Sequence, residues 1–191
     1  MTTLAPTLSS RYFPRTTDWV RGLFLIIMGS LFVALLAQIE IPLPFTPVPI
    51  TGQTLGVLLV GALLGSKRGA AALALYLAEG GLGLPFFAGG ASGLGILTGA
   101  TAGYLVGFVG AAYAVGWLAE QGLERSVRTS VIPFLVGTVI IYVCGAVWLS
   151  VVLGSVEQAV ALGVAPFLLG DALKLMLAAA LLPGAWKLTQ N

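Results

Sequence analysis

Six stretches of this chain are nearly free of charge, and all but one of its nine cations fall at the chain ends or near alternate connections between them. The apolar stretches run over about residues 20–38, 51–65, 69–83, 98–118, 131–153 and 166–186. A helix rises about 1.5 Å per residue and the hydrocarbon core of a bilayer is about 30 Å thick, so some 20 apolar residues make one crossing. The second and third stretches are short. The charged hairpin Gly65-Ser66-Lys67-Arg68-Gly69 between them rules out fusing them into one span.

Counting six spans with the N-terminus inside puts Arg11, Arg15, Arg21, Lys67, Arg68, Arg125, Arg128 and Lys187 on the inner side. The ninth cation, Lys174, lies within the last span, and the outer connections carry only Glu40, Glu79 and Glu157. A wrong count would scramble that alternation. The positive-inside rule therefore gives an all-α, polytopic membrane protein: a six-transmembrane-helix bundle, one domain over 1–191, with both termini cytoplasmic. Trp19, Trp117 and Trp186 fall at inner ends and Trp148 near an outer one, as an aromatic belt requires.

Composition excludes the alternatives. Charged residues are 8% of the chain, against roughly 25% in a soluble domain, and mean hydropathy is +1.03. A soluble enzyme or transcription factor could not cover its surface with so little charge. The net charge of +2 is scattered and forms no nucleic-acid stripe. There is no His, and the lone Cys144 reads as a small buried hydrophobe, so no metal site or disulfide frame is expected. Residues 1–19 lack the apolar core of a signal peptide. They read as a cytoplasmic lead-in whose Tyr12 and Phe13 rest at headgroup level.

Two outer connections are unusually greasy. Residues 39–50 read IEIPLPFTPVPI, and four prolines there favour an extended path. Residues 80–97 are rich in glycine and place Phe86 beside Phe87. Both are expected to fold back onto the mouth of the bundle, either as lids over an apolar ligand or as interfacial loops resting on lipid headgroups.

Asp171 and Lys174, in FLLGDALKLML, are the sharpest candidates for binding. Spaced by three, they share a helix face, and each ionised group inside a span costs on the order of 3 kcal/mol to insert. They lie about 7–8 Å and 12 Å below the outer end of the last span at 1.5 Å per residue. As a ligand anchor, Asp171 can accept from N–H donors and Lys174 can meet a carboxylate or a carbonyl; the alternative is a self-neutralising ion pair that only fixes helix packing. Gln53 and Thr54 open the second span, and Gln53 can serve an amide-like group or glue helices together. Tyr104 and Tyr142 can turn a hydroxyl inward or simply pack. Ser30 and Ala34, four apart, form a small-xxx-small face which, if exposed, would dock another membrane helix.

No catalytic residues are expected. Gly90-Ala91-Ser92-Gly93 matches the GxSG string of intramembrane serine proteases, but that chemistry needs a His. No Walker A sequence occurs, so uphill transport would draw on a partner ATPase or an ion gradient.

The string IPLPFTPVPITGQTLGVLLVGALLGSKRGAAALALYLAEGGLGLPFFAGGASGLGILTGATAGYLVGF, together with GDALK in the last span, resembles the biotin transporter BioY family, the substrate-binding S components of energy-coupling factor importers. The resemblance runs from the first span to the last. It departs at Ala100 and Ala102, where the family usually reads GPTGGYL, and at Ser30, where the family often has Ala. It implies a bacterial cytoplasmic-membrane protein that binds biotin, with no cofactor, in its outer half. A transmembrane T component and two ATP-binding cassette subunits would be its partners. It also implies a site built from Asp171, Lys174, Gln53, Phe86, Phe87, Tyr104 and Trp148, with Lys174 reaching either the ureido oxygen or the carboxylate. A stand-alone secondary transporter or channel for another solute is the alternative reading.

Overall fold

A computed structural model describes residues 3–12 and 15–187. Phe13, expected at headgroup level, lies outside them; Tyr12 is exposed. The helices are α1 (Leu4–Tyr12), α2 (Asp18–Ala37), α3 (Gln53–Leu64), α4 (Ser66–Gly81), α5 (Leu94–Thr98), α6 (Ala102–Glu120), α7 (Val127–Leu153), α8 (Val156–Gly163) and α9 (Leu168–Lys187).

Among the described residues, four segments are long and apolar enough to cross a membrane: Asp18–Ala37, Ala102–Glu120, Val127–Leu153 and Val156–Gly184. The last runs through α8 and α9 across the turn Ala165–Phe167. α3 and α4, at 12 and 16 residues, fall short of the length that a perpendicular crossing needs. Prolines 42, 44, 47 and 49 delay α3 to Gln53, and Gly65, at φ 85°, turns the chain straight into α4.

Lys67 and Arg68 therefore sit in the first turn of α4, not in a separate loop. That turn is held by Glu120, whose carboxylate accepts from the Ser66 N–H at 2.8 Å and from its hydroxyl at 2.9 Å. An acid at a helix N-terminus satisfies donors that the helix itself cannot.

Small residues let the helices meet closely. A Cβ at Gly116 of α6 would stand 2.4 Å from the backbone of Gly65 and Ser66, and one at Gly61 would stand 2.7 Å from the Ala112 carbonyl. A Cβ at Gly103 would stand 2.5 Å from the Cys144 carbonyl of α7. α6 is thus the central helix, between the α3–α4 hairpin and α7. The outside is apolar too: Leu23, Phe24, Ile27, Met28 and Leu35 of α2, and Leu135, Val139, Val143 and Val147 of α7, are all exposed. Faces of that kind suit lipid and not water.

At one end of the bundle the connections pack inward. The segment expected to run extended does so only at its ends, as a two-rung hairpin pairing Glu40 with Thr51 and Ile41 with Ile50, while the proline-rich stretch between them turns and bends. Its tip is fastened by Thr46, whose hydroxyl donates to the Leu162 carbonyl at 2.7 Å. The glycine-rich connection, expected to be loop throughout, contains the short helix α5. At the opposite end α1 folds back, burying Thr3 and Leu4 where a polar lead-in is expected; Thr3 lies beside Gly65.

Candidate ligand-binding site

Beneath the inward-packed connections lies a cleft that is partly open to solvent. Its walls are mostly apolar and include Phe87, Phe108, Ile141 and Phe167, and Thr51, Gln53, Thr54, Tyr142, Asp171 and Lys174 form one hydrogen-bonded polar cluster in the lining.

Asp171, only 7% exposed, is the centre of that cluster. Being three residues apart on α9, Asp171 and Lys174 face the cleft together, and Lys174 Nζ donates to Asp171 Oδ1 at 2.7 Å. Two further donations, to the Thr51 carbonyl at 2.8 Å and to Thr54 Oγ1 at 3.0 Å, use up the three ammonium hydrogens. Thr54 in turn donates to Asp171 Oδ1 at 3.2 Å. Asp171 Oδ2 accepts from the Tyr142 hydroxyl at 2.6 Å.

A carboxylate has about four lone-pair positions. Oδ1 takes two donors and Oδ2 takes one within the protein, so Oδ2 keeps capacity for one more. The ion pair is neutral as a unit and each charge is hydrogen-bonded, which makes its burial in an apolar setting tolerable. The arrangement can accept an N–H from an uncharged ligand. Binding a carboxylate at Lys174 would require breaking a bond already made.

Of the residues singled out from the sequence, Asp171, Lys174, Gln53, Phe87 and Tyr104 line the cleft. Tyr104 is fixed by donating to the Gly163 carbonyl at 2.8 Å, while Gln53 accepts from Thr51 Oγ1 at 3.0 Å. Phe86 and Trp148 are not in the lining. Phe86 packs against the core and presents its carbonyl to Tyr76. Trp148 is 37% exposed and donates from Nε1 to the Gly99 carbonyl at 2.8 Å, holding the start of α6.

Ser30 and Ala34 do not form an exposed face. They are 0% and 5% exposed and turn into the bundle, where the Ser30 hydroxyl hydrogen-bonds Glu79 of α4. The exposed side of α2 is its bulky side. Thr51, Thr54 and Tyr142 complete the polar cluster, beyond the set implied by the resemblance. Thr54 beside Gln53 at the mouth of an apolar helix is a usable signal. Nothing in the run around Tyr142 distinguishes it from a packing residue.

Lipid-facing helices around a mostly apolar cleft with one polar cluster in its lining define a membrane protein built to hold a small ligand. The model of the BioY family matches residues 5–191, and the chain belongs to that family. Its relatives include the biotin transporter BioY of Rhizobium etli, 35% identical over 167 residues, spanning 82% of this chain and 89% of that protein. The biotin transporter BioY of Thermotoga maritima is 38% identical over 157 residues, spanning 81% and 90%. That of Rhodobacter capsulatus is 41% identical over 163 residues, spanning 78% and 84%. Among solved structures, the S-component for biotin from an ECF-type ABC transporter superimposes with a TM-score of 0.76 at 27% identity, covering 90% of this chain and 95% of that one.

Proposed function

We propose that this protein binds biotin in the cleft and takes it up across the bacterial cytoplasmic membrane as the S component of an energy-coupling factor transporter. The observation that carries this reading is the Asp171–Lys174 pair, set in the wall of a mostly apolar cleft. Biotin has an apolar bicyclic body, a ureido group with two N–H donors, and a valerate tail. Its ring matches the wall of Phe87, Phe108, Ile141 and Phe167, and a ureido N–H matches the open position on Asp171 Oδ2. The relatives named as biotin transporters and the superimposable biotin S-component support the same ligand.

The energy source is a transmembrane T component with two ATP-binding cassette ATPases. Support comes from the structural neighbour, itself an S-component of an ECF-type ABC transporter. The membrane is crossed six times, with the short α3 and α4 forming one re-crossing hairpin and both termini cytoplasmic. Arg21, Lys67, Arg68, Arg125 and Arg128, all near the helix ends away from the cleft, support that orientation. The role is transport, not catalysis.

The test is to purify the protein from cells grown with a mixture of vitamins and to identify what it retains by mass spectrometry. Biotin as the retained ligand is expected. A different vitamin, or none, would overturn the assignment.

A further inference from the structure

The polar cluster does not stop at the wall of the cleft. Lys174 Nζ donates to the Thr51 carbonyl at 2.8 Å, and Thr51 Oγ1 donates to Gln53 Oε1 at 3.0 Å. Gln53 Nε2 then donates to Tyr76 Oη, and Tyr76 Oη donates to the Phe86 carbonyl at 3.0 Å. The bonds run in one direction, from α9 through the start of α3 to α4 and on to the glycine-rich connection. Tyr76 is fully buried and does not line the cleft. Its ring meets Phe87 edge-on, with centroids 5.6 Å apart and planes at 84°. Phe87, which does line the cleft, is pressed onto Gly80, where a Cβ would stand 2.4 Å from the ring.

A phenol buried this completely is costly unless its hydroxyl is partnered on both sides, and here it is. Phenylalanine would fill the same space and pack as well against Phe87. What the hydroxyl adds is a tie between the wall at Phe86–Phe87 and the anchor at Gln53 and Thr51.

We propose that Tyr76 is a positioning residue for ligand retention: it fixes the Phe86–Phe87 wall to the Lys174–Thr51–Gln53 anchor, so that the wall gives way and ligand leaves only when this relay opens. The proposal rests on the biotin reading for its ligand, though not for its mechanical part. Removing the hydroxyl orphans Gln53 Nε2 and the Phe86 carbonyl and leaves the wall with only the longer contacts of Gln38 Nε2 to the Pro85 and Phe87 carbonyls, at 3.4 and 3.5 Å.

The experiment uses the whole protein in nanodiscs, as parent, Tyr76→Phe, Gln53→Met and the double variant. Without ligand, amide hydrogen exchange is followed at Phe87, Gly90 and Ala91, whose N–H groups are bonded within the connection. Exchange there is expected to rise about 3- to 10-fold in Tyr76→Phe, the loss expected for one hydrogen bond. Gln53→Met should do the same, and the double variant should exchange no faster than the faster single one, because both cut one relay. With biotin, Tyr76→Phe should dissociate faster by about the same factor while its association rate stays within about twofold. Parent-like exchange, multiplying effects in the double variant, or an unchanged dissociation rate would each overturn the proposal. If the parent binds no biotin, the functional reading fails separately, and the exchange measurements alone decide the role of Tyr76. Should Tyr76→Phe not fold, the exchange of Gln53→Met decides it.

Discussion

The Tyr142 hydroxyl of α7 donates to Asp171 Oδ2 of α9 at 2.6 Å, on the carboxylate oxygen that Lys174 does not touch. Lys174 and Thr54 hold Oδ1 while Tyr142 holds Oδ2, so the plane of the carboxylate is set from both sides. That leaves one acceptor position on Oδ2, the one to which the proposed ureido N–H is assigned.

Replacing Tyr142 by Phe keeps the packing and removes this orienting bond. A hydrogen bond to a charged group is worth about 1.5–3 kcal/mol, so biotin affinity should fall about 10- to 100-fold. Isothermal titration of folded Tyr142→Phe checks this. Parent affinity would show that the carboxylate needs no second clamp.

Lys174 spends its hydrogens within the protein, and so the tail of the ligand should not be read by it. Biotin amide, with an uncharged tail, is expected to bind within about tenfold of biotin, a difference under about 1.4 kcal/mol. A larger loss that vanishes in Lys174→Met would instead place the tail carboxylate on Lys174. Apart from ligand, Lys174→Met should destabilise the protein by about 3–5 kcal/mol, because it strands a buried carboxylate.

Gly116 lies where α6 crosses the α3–α4 turn with no space for a methyl group, whereas a Cβ at Gly170 meets nothing within 4 Å. Gly116→Ala should cost about 1–3 kcal/mol through overpacking against rigid backbone. Gly170→Ala should be neutral or slightly stabilising. Melting temperatures of the two variants in the same detergent provide the comparison.

Glu124, in the turn between α6 and α7, is fully buried. Burial raises its carboxyl above the ordinary range, and Arg125, 3.9 Å away, and Trp186 counter only part of that. The folded state therefore holds the proton more tightly than the unfolded chain does. Stability should decline as pH rises from about 4.3, the unfolded value, through the raised folded value. Glu124→Gln is expected to remove that decline and to melt higher than the parent at neutral pH. A parent-like pH profile in the variant would contradict this.

The helical membrane character of the chain is legible in its apolar run lengths, because lipid imposes those directly. The Asp171–Lys174 pair stands out for the same reason: charge inside a span is expensive. Which way uncharged residues face is far less legible. In a lipid-exposed helix both faces are apolar, so periodicity does not mark the inward side of α2 or α7. Ser30 and Ala34 consequently read as a docking face although both are buried, and Tyr142 reads as a packing residue although it clamps the carboxylate. Phe86 and Phe87 are neighbours in sequence, yet only Phe87 enters the cleft; the glycines that follow them, Gly89 at φ 61° and Gly90 at φ 79°, allow the tight turn that sets that choice. The fold-back of α1 carries no span-length signal in the sequence.

The most direct test is calorimetric titration of biotin into the purified parent protein and into Asp171→Asn, which keeps the shape of the side chain and removes its charge and one acceptor. One-to-one binding by the parent, weakened at least about 100-fold in the variant, is predicted for a ureido N–H held on a charged acceptor. Equal affinity in the two proteins would mean that biotin is held elsewhere or that Asp171 serves only to neutralise Lys174.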